Sequence, residues 1–306
     1  MLKFIFKRLL LAIPTILGVI FIVMLTIELV PGDPVELMLG EHGTQEAVHN
    51  VRTALGLDKP LLIRYFLYLR NLARGDMGRS IRENRAVIKE VSDVWPATLE
   101  LKLAAMVIAV VIGVTVGILS AVRPNSFFDN VNRIISLFGL SMPVFWTGLV
   151  LIVIFSFWLR FLPIGGTGSL RHLILPAFTL SLPSIAMISR MTRSSLLEVL
   201  KEDYVRTARA KGLSQKTVIL RHALKNALIP IVTLCGLQMG QLMGGAILTE
   251  TVFAWPGLGR LMVRAIFARD YILLQGAVLI FALAFVVINL IVDISYSFLD
   301  PRVNYQ

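Results

Sequence analysis

Six stretches of this chain contain no Asp, Glu, Lys, Arg or His: residues 9–27, 103–122, 134–159, 173–189, 226–249 and 271–292. Each is close to the roughly 20 residues that carry a helix across a bilayer. In lipid every backbone N–H and C=O must be satisfied within the spanning structure, which leaves helices or closed barrels. Runs this long are helical, so the sequence specifies an all-α integral membrane protein with six transmembrane helices. Composition agrees: 56% of residues are hydrophobic and 16% charged, against about a quarter charged in soluble domains. The run at 173–189 is the shortest and holds Pro176 and Pro183. Prolines free backbone carbonyls that neighbouring helices or water must satisfy, which argues against an isolated lipid-facing helix there.

The start, with Lys3, Lys7 and Arg8 before the first apolar run, also has the form of a secretory signal. The run is long for a signal peptide and no small-x-small cleavage site precedes Pro31-Gly32-Asp33-Pro34, so it is read as the first membrane helix. Basic residues near membrane ends favour the cytoplasm. Lys3, Lys7 and Arg8, then Arg123 and Arg133, then residues 190–225 with nine basic and three acidic side chains all fall on one side of a six-span chain. Both termini are therefore expected in the cytoplasm. Residues 31–97 hold nine basic and nine acidic side chains, as an outside segment can. Arg260, Arg264 and Arg269 fall outside on this arrangement and count against it. The net charge of +11 is mostly accounted for by membrane-flanking loops, not by nucleic-acid binding.

The chain divides on this reading into 1–94, a transmembrane helix plus a long extracytoplasmic segment; 95–296, a membrane core; and 297–306, a cytoplasmic tail. Residues 44–57 and 58–73 read as amphipathic helices, the second led by Asp58 with Pro60 in its first turn. Leu61, Leu62, Tyr65, Phe66, Leu69 and Leu72 share a face of it, which either packs on the protein or membrane or receives an external partner. The single Cys235 excludes a disulfide framework, and His42, His49, His172 and His222 lack metal-ligand spacing. No Gly-x-x-x-x-Gly-Lys-Ser/Thr loop occurs, so nothing here binds ATP through a P-loop. Glu28, Glu250 and Asp293 lie near span ends, where a hydrated boundary position explains them as well as a role in a transport pathway does. Asn289, Gln238 and Gln241 lie deeper and suit hydrogen bonds between helices more than substrate contact. Phe253 and Trp255, beside the Pro256-Gly257 turn, suit a membrane interface.

The segment 202–230 is different in kind. Glu202 and Asp203 open a short helix and Arg206, Arg209 and Lys211 close it, in the order that complements the helix dipole, and Glu202 can pair with Arg206. Gly212 supplies a left-handed cap and Ser214 can cap a second helix. Ala208 and Ala210 have little bulk and would allow close approach to a partner's groove. Pro230 offers a break where this interfacial helix turns into the fifth span. Ala208, Gly212 and Val218 also have helix-turn-helix spacing, but the second helix runs into the membrane and could not occupy a DNA groove. A plain basic loop on anionic lipid is the remaining alternative; it calls for neither the small residues nor the glycine corner.

Ala208-Arg209-Ala210-Lys211-Gly212-Leu213-Ser214 followed by Arg221 to Pro230 resembles the EAA loop of bacterial ABC importer permeases, in particular the peptide/nickel group that includes dipeptide, oligopeptide and glutathione permeases. Lys7-Arg8, Pro31-Gly32-Asp33-Pro34, Leu55 to Pro60, Met191-Thr192-Arg193-Ser194-Ser195, Glu202 to Thr207, Phe253 to Gly259, Arg269-Asp270-Tyr271 and Asp300-Pro301-Arg302 extend the resemblance over essentially the whole chain. Arg206 and Thr207 stand where the general pattern has Glu and its first Ala, and Gly212 to Pro230 is five residues longer, as in the peptide group. The resemblance implies a type I ABC importer permease fold in a bacterial inner membrane and no enzymatic activity or cofactor in this chain. It implies partners: a second homologous permease, two cytoplasmic ATP-binding subunits carrying ATP and Mg, and an extracytoplasmic solute-binding protein. It implies that Glu202, Arg206, Thr207, Ala208, Arg209, Ala210, Lys211 and Gly212 form the ATPase-coupling surface, and that peptides, glutathione or nickel are the candidate solutes. A stand-alone secondary transporter would call for inverted repeats and midplane charges, which are not evident. A structural anchor would leave the 202–230 elbow without a use.

Overall fold

The computed structural model describes residues 2–29, 45–54, 56 and 58–299, and these are almost wholly helical. In chain order the elements are α1 (Leu2–Leu29), α2 (Gln45–Ala54), α3 (Leu61–Leu72), α4 (Val87–Val122), α5 (Phe127–Ser141) and α6 (Val144–Leu151). After α6 the chain continues as the π-helical turn Ile152–Trp158. Then come α7 (Leu170–Val199), α8 (Asp203–Ala210), α9 (Gln215–Val252), α10 (Leu258–Phe267) and α11 (Tyr271–Leu299). Five helices among the described residues, α1, α4, α7, α9 and α11, are long and apolar enough to cross a membrane.

The third expected span is not one helix. Its two halves, 127–141 and 144–158, meet at a bend of 111°. The residue before a proline is driven out of the α region, and Met142 is extended (ψ 134°) ahead of Pro143. The doubtful fourth run, by contrast, lies inside an unbroken 30-residue helix that includes both Pro176 and Pro183. It is the most enclosed span, with 56% of its apolar window buried against 17–33% in the others. Pro230 also sits inside continuous helix; the irregularity in α9 is the π turn Val218–Ala223 upstream of it.

The chain divides into two compact units, Met1–Pro96 with Gly257–Val286 and Ala97–Pro256 with Val287–Gln306. In the second unit α7 packs against α5, α6 and α9. Small side chains set the closest approach: a Cβ on Gly117 would stand 2.6 Å from the Ser189 carbonyl oxygen and 2.5 Å from Thr192 Cβ. Gly113, one turn earlier, would meet Ile188 at 2.9 Å. Small residues four apart admit a neighbouring backbone, which is how helices associate when lipid removes the hydrophobic incentive. Thr179, Ser181, Ser184, Ser189 and Thr192 are buried along α7, and Gln238 Nε2 on α9 donates to Ser184 Oγ at 3.0 Å. That is the interhelical role expected of Gln238; Gln241 is exposed instead.

In the first unit α3 lies against α1, with Tyr65 donating to the Leu17 carbonyl at 3.1 Å and stacking edge-on against Phe21. Pro60 caps α3 from outside its first turn, which corrects the expected start. Leu61, Tyr65, Leu69 and Leu72 pack on Ile20, Met24 and Leu279, while Leu62 and Phe66 are exposed. The apolar stripe therefore divides between packing and surface. Asp270 is the other anchor of this unit: it accepts from Ser80 Oγ at 2.5 Å and from the Arg82 backbone N–H, and caps α11 through Leu273 N–H.

Candidate functional site

The elbow is present as two helices about a corner. Glu202 is the N-cap residue of α8, and its carbonyl accepts from Val205 and Arg206 N–H at 3.0 and 3.2 Å. Arg206 pairs with Asp203 at 3.4 Å, not with Glu202 as expected. With Glu202 extended at ψ 148°, Asp203 is the first acid on the helical surface. At the other end Gly212 has φ +79° and its N–H reaches the Arg209 carbonyl at 3.0 Å. Only the backbone demands glycine there, since a Cβ would meet nothing within 4 Å. Ser214 then accepts from Thr217 N–H at 3.4 Å and starts α9.

α8 has two distinct faces. Val205 (0% exposed) and Ala208 (6%) pack on Leu196 of α7, on Val218, Ile219, Ala223 and Ala227 of α9, and on Ala121 at the end of α4. Tyr204 accepts from Asn226 Nδ2 at 2.7 Å, and Ser195 Oγ donates to the Ala227 carbonyl at 3.1 Å. Glu202, Asp203, Arg206, Thr207, Arg209, Ala210, Lys211 and Gly212 are exposed. This corrects the expected site at Ala208, which points inward; its small size lets α8 sit close to its own chain rather than to a partner. Ala210, two residues on and so on the opposite face, keeps the outward position. The elbow is thus a charged surface seated directly on the ends of α4, α7 and α9, and a displacement of α8 cannot occur without moving those helices, because packed interiors transmit strain.

A second assembly lies at the start of α5. Asp129 has a side chain with 0% exposure and receives Arg193 Nε at 2.6 Å, Arg193 Nη2 at 2.8 Å, Arg133 Nη2 at 2.8 Å and the Asn125 N–H at 2.8 Å. Arg193, in the Met191 to Ser195 motif, therefore fastens α7 to the 125–133 corner. A third lies between α4 and α9: Lys102 (2% exposed) reaches Met243 Sδ at 2.8 Å, and Thr98 donates to Glu250 Oε1 at 2.8 Å. Glu250 is fully buried, not at a hydrated boundary. Phe253 and Trp255 are buried too, Trp255 Nε1 donating to the Ala97 carbonyl at 2.8 Å and the Phe253 carbonyl accepting from Gly166 N–H at 2.9 Å. They brace the turn from inside instead of lying at an interface. Sequence reading missed the Asp129 and Lys102 assemblies; Lys102 and Glu250 each border an apolar run, whereas nothing local marks Asp129. Among the described residues no three His, Cys, Asp or Glu side chains converge as metal ligands. Pro31 to Pro34, His42, Leu55, Leu57 and residues 300–306 lie outside the described residues, as does the Asp293 side chain.

Residues 1–102 match the N-terminal part of the binding-protein-dependent transport system membrane component, and 113–305 match the binding-protein-dependent transport system inner membrane component. Over all of both chains, the sequence is 44% identical to the dipeptide transport system permease protein DppB of Alkalihalophilus pseudofirmus and 45% identical to the di/tripeptide transport system permease protein DppB of Pseudomonas aeruginosa. It is 44% identical, again over the whole of both, to the glutathione transport system permease protein GsiC of Escherichia coli. Among solved structures, a chain of the inward-facing MetNI methionine ABC transporter superposes with a TM-score of 0.59 at 19% identity, covering 70% of this chain and 97% of that one. That distant likeness speaks for the fold alone. Five apolar spanning helices, the bent pair and the elbow thus build a type I ABC importer permease fold, and the chain belongs to the family of inner membrane components of binding-protein-dependent transport systems.

Proposed function

We propose that this permease subunit moves di- and tripeptides, and that the exposed face of the elbow, Glu202, Arg206, Thr207, Arg209, Ala210, Lys211 and Gly212, docks a separate ATP-binding subunit. The observation that carries the docking reading is the two-faced α8: a charged outer face on an inner face keyed into α4, α7 and α9 through Val205 and Ala208. Full-length relatives named for dipeptides, di/tripeptides and glutathione support the substrate class, and glutathione is itself a tripeptide. ATP and Mg are bound in the partner subunits. A second permease completes the membrane core, residues 95–296 supply this chain's share of it, and a solute-binding protein delivers substrate on the side opposite the elbow. Both termini, with the tail 297–306, lie with the elbow in the cytoplasm of a bacterial cell. Closure of the ATP-binding subunits shifts α8, and the rigid seat of α8 tilts the spanning helices toward outward access.

The test is ATP-driven uptake of a labelled dipeptide into vesicles holding the complete complex, comparing Gly212→Val with Gly212→Asn. A left-handed position costs a β-branched residue about 1–2 kcal/mol and Asn less, so Val distorts the elbow while Asn preserves it. Uptake is expected to fall with Val and to stay near wild type with Asn. Wild-type uptake and assembly with Val at this position would refute the coupling role.

A further inference from the structure

The first unit holds a cavity of about 320 Å³ walled by α1, α3, the 76–81 loop and the start of α11. Three of its lining side chains carry a buried polar atom without a hydrogen-bond partner: Tyr68 OH, Tyr271 OH and Gln275 Nε2. Gln275 is 9% exposed. They come from two separate helices, and all three residues line the one space. Buried polar atoms in native proteins are nearly always paired, and each one left unpaired is costly. Three in one cavity mark a place that something else completes.

The chemistry of the three groups selects the occupant. An amide nitrogen only donates, and each tyrosine hydroxyl can donate. Burial pushes the Tyr68 hydroxyl up to about 12, so it remains a neutral donor at working pH. Lys59 and Arg64 line the same space. Arg64 is held by Glu28 at 2.7 Å, and the Asp76 carboxylate accepts from Gly78 N–H at 2.8 Å. The wall is built closely: Gly78 has φ +85°, and a Cβ there would stand 2.8 Å from Ile272 Cγ2. We propose that this cavity binds a phosphate oxyanion, with Tyr68, Tyr271 and Gln275 as its donors. A phosphate offers several acceptor oxygens to convergent donors, and donors to a charged acceptor make the stronger hydrogen bonds. Its source is a phospholipid headgroup or free phosphate. The lining includes Met24 and Ile27, at the end of α1, and Tyr271, the first residue of α11, where spanning helices leave the apolar layer.

The experiment uses the complete complex in vesicles of phosphatidylethanolamine and phosphatidylglycerol containing a phospholipid with a photoactivatable headgroup, with adducts mapped by peptide mass spectrometry. A second arm measures binding of radiolabelled inorganic phosphate to the same complex in detergent. The lipid source predicts adducts on 64–81 and 271–275 that fall about tenfold or more in Tyr68→Phe/Tyr271→Phe, which keeps ring volume and removes both hydroxyls. The free source predicts no such adducts but phosphate binding weakened by a similar factor in that variant. Wild-type complex that gives neither adducts there nor phosphate binding overturns the proposal and leaves ordered water as the partner of these groups. Adducts or phosphate binding unchanged by the double substitution overturn it as well. Should the double variant fail to assemble, Gln275→Leu, which removes the third donor, is read in the same way.

Discussion

Removing the carboxylate of Asp129 tests how α5 and α7 are held together. It is fully buried and accepts four hydrogen bonds, three from guanidinium nitrogens at 2.6, 2.8 and 2.8 Å and one from the Asn125 N–H at 2.8 Å. Asn125 has φ +60°, so this backbone bond also holds a corner that an L residue adopts reluctantly. Breaking a buried ion pair by deleting one partner costs about 3–5 kcal/mol. Arg193 keeps 20% and Arg133 49% of its side chain exposed, and water compensates part of that loss, so Asp129→Ala is expected to cost about 2–4 kcal/mol. Arg193→Met removes two of the same four bonds, so the losses overlap. The double variant should be more stable than the sum of the singles predicts, by about 1.5 kcal/mol or more. Denaturant unfolding in detergent micelles, followed by tryptophan fluorescence, measures all four species. A loss below about 0.5 kcal/mol for Asp129→Ala, the level of an ordinary surface change, refutes the reasoning, and so does strict additivity.

Glu250→Ala leaves the buried Lys102 without the carboxylate whose charge favours it and should cost about 3–5 kcal/mol, whereas Lys102→Met/Glu250→Leu should recover most of that; a double variant no more stable than the single overturns this. Gly117→Leu should separate α4 from α7 at a cost of about 1–3 kcal/mol, because the new Cβ would meet the Ser189 carbonyl and Thr192. Gly18→Ala, with nothing within 4 Å of its Cβ, should be neutral or stabilising by about 0.5–1 kcal/mol, and the same unfolding assay reads both.

The corner of the elbow was legible to the residue. Gly212 caps through its freedom to take a positive φ and Ser214 through its hydroxyl, as expected, because caps depend on a few adjacent groups. The misreadings inside it were also local. Ala208 and Ala210 cannot share a helix face, and the 100° step between residues already places them apart. The pairing of Arg206 was decided by where the first helical turn begins. The Gly113-Val114-Thr115-Val116-Gly117 spacing, a known close-packing signal, was present and unread.

Sequence alone determined that the chain is helical and membrane-spanning, since transfer of uncharged runs into lipid is a sum over residues that needs no tertiary information. It also determined the family, through motifs distributed along the chain. Which proline breaks a helix was decided only in three dimensions. Pro143 ends α5, whereas Pro176, Pro183 and Pro230 sit within continuous helix. The run least suited to lipid became the most enclosed span, because a helix surrounded by protein needs small and hydrogen-bonding residues more than apolar ones. In the sequence Lys102 and Glu250 border apolar runs, while Asp129 and Arg193 lie between runs. Only packing brings them into buried partnerships, because their helix-to-helix partners are 64 or more positions away in sequence, and no local pattern carries that distance.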